Sequence, residues 1–359
     1  MATLTEASVT ARKAIKYGAI GFVAITILWY LGVALVKYYQ ALNPPPLPNP
    51  TVDFGVLPKV NFPESADRPK MVLELPTGGI QSFVDRMTVY SEPVKKSSFT
   101  DAEKGIETAA ALGFLFKPEI RNESNYIWTV QDQLNSKLEM NIVTGHFVLT
   151  RQWQNNPALA AMASFSSDKT VITETENYLS KVGLLNSDIV GVEKLTYLKD
   201  DGGKFGTALS LSDSDFVQID LFRKNIDEID PESKAKEIKA SYPFYRPNPN
   251  KGLVRVVVSG SKNVNDKVIS MDYEYNTINY KKNGTYPIKT GEEAWAELES
   301  GGGFVFRGDS IANEMKIRRV FLGYYDPEIS LGYTMPIYIF LGDQNFTAYV
   351  SAVADKWVE

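Results

Sequence analysis

Cysteine is absent from the 359-residue chain, and histidine occurs once, at His146. The missing thiols exclude a disulfide framework, a thiolate metal site, a cysteine nucleophile and an acyl-cysteine anchor. A single imidazole restricts any Ser-His-Asp triad to His146, which sits in the strand-like run VTGHFVL with nothing beside it that marks a nucleophile. A zinc site would have only carboxylates to complete it. Without a covalent staple, stability rests on core burial, and the roughly 300 residues beyond the N-terminal region are enough to supply it.

Nucleotide-binding loops are missing as well. Gly202-Gly203 is followed by Lys204 and Phe205, and the 301–303 glycines follow a helical pattern instead of opening one, so neither forms a phosphate loop. The triplet Asp53-Phe54-Gly55 has no kinase signature around it. The acidic cluster Asp213, Asp215 and Asp220 comes nearest to a cation loop, but counting from Asp213 puts Gln218 at position six and Lys224 at position twelve. A solvated strand end is the expectation there. Three glycosylation sequons, at Asn122, Asn283 and Asn345, arise by chance at this asparagine content. The residues therefore name no catalytic, cofactor or metal set, and a non-enzymatic protein is expected.

Beyond the N-terminus acidic residues outnumber basic ones. The net charge is −5; the first 37 residues hold four basic side chains against Glu6, which leaves −8 for the remainder. Such a surface does not suit nucleic acid or anionic lipid.

What the chain does have is a run of 19 residues without a charge, Gly18 to Val36. A helix of that length, at about 1.5 Å per residue, nearly spans a bilayer core. Arg12, Lys13 and Lys16 precede it, and Lys37 closes it. This asymmetry predicts a cytoplasmic N-terminus and an extracytoplasmic body. A cleaved signal peptide would have a shorter apolar core and a small-x-small site. Here Trp29, Tyr30, Tyr38 and Tyr39 read as interfacial anchors instead. Gly18 and Gly21, with Ala14 and Ala24, offer small residues for helix–helix approach.

The division expected along the chain is a cytoplasmic tail (1–16), a transmembrane helix (17–37) and a Pro-rich extended linker (38–70), then α+β modules at 71–164, 165–240 and 241–359. ALNPPPLPNP, residues 41–50, favours polyproline II and acts as a spacer. Helices are expected at 100–112, with Thr100 and Glu103 as a capping box and Gly113 as the stop, at 168–182 before Gly183, and at 290–298 before Gly301. Strand patterns follow each, with turns at Thr144-Gly145 and Asp201-Gly202-Gly203, and further strands at 207–212, 215–224, 252–260 and 268–280. The Pro/Asn-rich stretch 241–252 reads as a break between modules, or as aromatics covering an apolar edge. The fold class is α+β: one N-terminal transmembrane helix, then tandem helix-plus-antiparallel-sheet modules.

The C-terminal run, YPIKTGEEAWAELESGGGFV followed by IRRVFLGYYDPEISLGYTMPIYIFLGDQNFTAYVSAV, resembles the C-terminal module of the YycH/YycI family and PepSY-like modules more broadly. Ala294, Trp295, Leu298, Leu322, Gly323, Tyr324, Tyr325, Pro336, Tyr349 and Ala352 carry the likeness. Ile337-Tyr338-Ile339 departs from the W-x-V strand usual after that proline. The resemblance implies a single-pass envelope protein that restrains a sensor kinase, partly through its span. It carries over no binding residues. The expected partners are the lipid bilayer and a membrane or envelope protein. A structural subunit of a surface or secretion assembly is the alternative, and a hydrolase using carboxylates alone a third.

Overall fold

The structure is a computed structural model that describes residues 4–42, 49–64, 67–161, 164–191, 193–229, 237–308 and 312–359. The chain divides into two compact units, residues 1–49 and 50–359. The first is one helix, Leu4–Leu42. Its segment Ala11–Tyr39, 29 residues whose most apolar 18-residue window has a mean hydropathy of 2.3, is long and apolar enough to cross a membrane. The helix overruns the expected 17–37 limits because no proline interrupts it before residue 44. Most of the prolines of the expected spacer, residues 43–48, lie outside the described residues.

The second unit is mainly β. Its larger sheet has nine antiparallel strands. In spatial order these are Glu119–Ile120, Asn125–Val130, Ser136–Asn141, Phe147–Thr150, Val268–Tyr273, Val254–Ser259, Phe216–Leu221, Glu193–Asp200 and Phe205–Thr207. Alternation along each strand sends apolar residues to one face. Register then aligns Leu138, Leu149, Met271, Val256, Ile219 and Leu195 in a row across six of the strands. Helices Asp101–Ala111 and Asp168–Lys181 bury that row, with Ala109, Val171 and Leu179 in the same apolar cluster. Each fully buried Leu, Ile or Met contributes about 1.5–3 kcal/mol. Gly105 sets the spacing of the first helix, since a Cβ there would lie 2.6 Å from Ile142 Cγ2.

The helix ends follow the sequence signals with one exception. Ser167 Oγ accepts from Thr170 N–H at 3.1 Å, and Thr290 with Glu293 forms a capping box. The box expected at Thr100 and Glu103 does not form, because Thr100 is already in a helical conformation. Asp101 substitutes, accepting the Ser98 N–H and Oγ–H, both at 2.7 Å. One strand expectation is also corrected: residues 207–212 contain the end of the short strand Phe205–Thr207 and most of a 3-10 turn, Leu211–Asp213.

Of the remaining sheets, one is a two-stranded pair, Ile226–Ile229 with Ile238–Tyr242, and two join the two ends of the chain. A six-stranded sheet runs Lys70–Leu73, Glu314–Tyr325, Pro336–Gly342, Thr347–Ser351 and Phe304–Phe306, with Phe244–Tyr245 also pairing to Glu314–Tyr325. A three-stranded sheet is made of Asn279–Pro287, Arg86–Ser91 and Tyr333–Thr334. Helix Gly291–Glu299 packs Ala294 and Leu298 against Phe340, Ala348 and Val350.

Sheet pairing does not break at the expected module boundaries, residues 165 and 241. The nine-stranded sheet draws on all three expected modules, and its middle strands come from 254–273. Nor is 38–70 all linker. Leu57 and Val60 are buried, Leu57 N–H donates to Trp357 O at 2.8 Å, and Glu359 N–H donates to Leu57 O at 2.9 Å. The apolar residues Val52, Phe54, Leu57, Val60 and Phe62 give this segment a face to bury against the C-terminal sheet.

Candidate functional site

Two places in the body concentrate polar chemistry. The first is a seam between the nine-stranded sheet and the C-terminal sheet. Just past strand Phe216–Leu221, Arg223 is fully buried. Its Nε donates to Asp326 Oδ2 at 2.9 Å, Nη2 donates to Asn276 O at 2.7 Å, and Nη1 donates to Asp188. The guanidinium lies 4.9 Å from the Tyr275 ring centre and 5.4 Å from that of Phe244. Burial opposes the charge, but Asp326 and Asp188 outweigh it and hold Arg223 well above its usual range. Tyr275 and Tyr280 donate to Asp188, and burial pushes both phenols up.

His146 belongs to this seam. It lies in the turn before strand Phe147–Thr150, and its Nε2 is 3.1 Å from Asn276 Oδ1. Asn276 Nδ2 donates in turn to Pro327 O at 3.1 Å. Burial pushes the imidazole below its ordinary value, and the Asn276 contact opposes that in part. The Asn276 side chain is an amide, a partner that orients a ring without activating a nucleophile.

The acidic cluster disperses. Asp213 lies in the 3-10 turn, and Asp215 accepts the Asp200 N–H at 2.8 Å. Asp220 is not a solvated strand end: it is buried and accepts from Arg255 Nε at 2.7 Å, Gly252 N–H at 2.8 Å and Gln218 Nε2 at 2.8 Å. Its place in a central strand decides this, because the facing Arg255 is fixed by the register. Among the described residues no group of His, Asp and Glu is placed to hold a metal ion.

The second place is a groove on the C-terminal sheet, built on the outer edge of strand Glu314–Tyr325. Near the strand's start this edge is covered by Lys70–Leu73, ending with Glu74 N–H on Ile317 O at 2.9 Å. Near its end the edge is covered by Phe244–Tyr245, with Tyr324 N–H on Pro243 O at 2.8 Å and Asp326 N–H on Tyr245 O at 2.9 Å. Between the two, residues 318–322 have no hydrogen-bonded strand on this side among the described residues; strand Ile238–Tyr242 flanks the gap without pairing, and the register with Pro336–Gly342 shifts between Ile317 and Arg319. Backbone groups alternate between the two edges of a strand. Counting back from Tyr324, the N–H and C=O of Leu322 and Val320 face the gap.

The groove holds a volume of about 260 Å³ beside Leu75, Pro76 and Gln81, and about 540 Å³ beside Phe83, Tyr242 and Pro243. Gln81, Arg319 and Phe321 line both parts. The neighbouring basic residues differ. Arg318 is held by Asp343 at 2.9 Å and Glu74 at 2.8 Å. Arg319 is exposed, stands 5.3 Å over the Phe321 ring, and has no carboxylate partner among the described residues.

The residues singled out in the sequence fall into two sets. Arg12, Lys13, Lys16, Gly18, Trp29, Tyr30 and Val36 are exposed on helix Leu4–Leu42 and Gly21 is half-buried, and nothing lies within 4 Å of a Cβ at Gly18 or Gly21. Trp29 and Tyr30 meet edge to face at 5.5 Å. Trp295, Leu298, Gly323, Tyr324, Tyr325 and Pro336 come together as core of the C-terminal sheet and its helix. A Cβ at Gly323 would lie 2.5 Å from Pro243 O, so glycine lets the 243–245 segment close onto the strand. Arg223 and Arg319 were not legible as site residues: each reads as an ordinary charge at a strand.

No protein-family model matches the chain, and no curated protein matches its sequence. Among solved structures, an uncharacterized protein from Eubacterium rectale is similar over 76% of this chain and 84% of its own, at 9% identity and a TM-score of 0.38.

Proposed function

We propose that the protein is a single-pass, membrane-anchored binding protein whose body lies on the extracytoplasmic side and regulates a membrane or envelope partner by contact, without catalysing a reaction. The observation that supports this most directly is the recessed, unpaired edge at residues 318–322, because an open edge inside a walled groove is a ready template for another chain. The apolar helix Ala11–Tyr39 supports the anchor, and Arg12, Lys13 and Lys16 before it support a cytoplasmic N-terminus. The C-terminal resemblance to the YycH/YycI family makes a sensor kinase one partner to look for.

Crosslinking of the intact protein in its native membrane tests the reading. A defined membrane or envelope protein recovered in stoichiometric amount supports it, and a kinase would support the regulatory form. Recovery of many copies of this chain in a ring points to the scaffold alternative. Absence of any specific partner contradicts the proposal.

A further inference from the structure

We infer that the groove at residues 318–322 takes an extended peptide segment of a partner protein as an added β-strand, with a carboxylate side chain facing Arg319 and apolar side chains facing Phe83 and Tyr242. This rests on the reading of the body as a binding module and names the site and the chemistry of what it binds.

Three observations carry it. The gap is bounded at both ends by strands that do pair with Glu314–Tyr325, so the line of an added strand is already set. Five residues at about 3.3 Å each give a slot of about 16 Å, the length of a typical short strand. The backbone groups facing it, those of Val320 and Leu322, belong to residues whose side chains are held in the core, so the edge is rigid before a peptide arrives.

The two sides of the slot differ in chemistry. Phe83 and Tyr242 are half-buried members of the apolar cluster under helix Gly291–Glu299. Side chains of an added strand alternate between faces, so every second residue meets this apolar wall. The residues between them meet the face that carries Phe321 and Arg319. A cation without a carboxylate partner, in a body of net negative charge, selects for an acid at that position. The preferred segment therefore alternates apolar and acidic residues.

The test uses the full chain in detergent and synthetic peptides of about seven residues. One alternates Val and Glu, a second alternates Val and Lys, and two more carry the Val/Glu sequence with N-methyl groups on one or the other set of alternate amides. The Val/Glu peptide should bind saturably and the Val/Lys peptide up to about fivefold more weakly, the upper end for one cross-strand charge pair. One N-methylated peptide should lose binding while the other keeps it, since only one set of amides faces the edge. Arg319→Glu should reverse the Glu/Lys preference. Equal binding of both N-methylated peptides, or an unchanged preference in Arg319→Glu, overturns the proposal.

Photo-crosslinking residues placed singly at the exposed Gln81 in the groove and at other exposed positions of the body such as Leu209, used in native membranes, separate this proposal from the reading beneath it. Partner capture that the Val/Glu peptide competes away supports strand addition. Capture elsewhere on the body that the peptide leaves unchanged overturns strand addition while the binding reading stands. No capture at any position overturns both.

Discussion

Arg223 donates its Nε–H to Asp326 Oδ2 at 2.9 Å, and that bond links the nine-stranded sheet to the strand that carries the groove. Asp326 directly follows Tyr325, so the same residue that answers Arg223 also donates its N–H to Tyr245 at the closed end of the slot. The buried pair and the closed end of the slot therefore share one residue, Asp326.

Arg223→Ala strands Asp188 and Asp326 without their cation. The expected cost is about 3–5 kcal/mol, the range for breaking one side of a buried ion pair. Denaturant unfolding of the full chain in detergent reads it. Arg223→Lys should recover little, because a point charge cannot replace a planar group that donates to three residues and stacks on Tyr275.

Gly323→Ala forces a methyl group against Pro243 O and Ile339 Cδ1, both 2.5 Å away. Overpacking of this kind costs about 1–3 kcal/mol. The strain falls where 243–245 meets the strand, so peptide binding in the groove should weaken together with a lowered unfolding midpoint.

Leu57→Ala should destabilise the body by about 2–5 kcal/mol, as for other fully buried leucines. Were 38–70 purely a tether, the same change would have no effect on unfolding.

A lone histidine makes the pH dependence easy to assign. Burial lowers the His146 pKa below the ordinary value of about 6.5, so the unfolded chain binds its proton more readily than the fold does. The stability this provides is complete above the unfolded value and is lost as pH falls through the folded one. Unfolding free energies measured between about pH 7.5 and 5 should fall more steeply for wild type than for His146→Gln. Parallel curves would contradict the assignment.

Local signals in the sequence were good guides to element ends. Gly113 and Gly183 stop their helices with φ of +97° and +74°, and Gly202 and Gly203 turn the 193–207 hairpin with φ of +62° and +83°. Cap spacing was a poorer guide: it suggested a box at Thr100 and Glu103, where none forms, and the box that does form is at Thr290 and Glu293. Strand order could not be read that way. Val254–Ser259 and Val268–Tyr273 sit between strands that precede them by dozens of residues, and that choice depends on which faces fit, not on any nearby residue. The groove was hidden for a related reason. An edge is open only relative to its neighbours, so the run IRRVFLGYYD looks the same whether residues 318–322 are paired or bare. Asp220 was misread because one residue's register decides whether a strand carboxylate faces water or Arg255.

The proposed topology, in which the helix anchors an extracytoplasmic body, is directly measurable because the chain has no cysteine. Single cysteines placed at Val9 and Leu209, which are 49% and 94% exposed, provide one label site on the helix and one on the body. In intact cells a membrane-impermeant maleimide should label Leu209→Cys at once and Val9→Cys only after permeabilisation. Labelling of Val9→Cys with Leu209→Cys protected, or protection of both, would contradict the account.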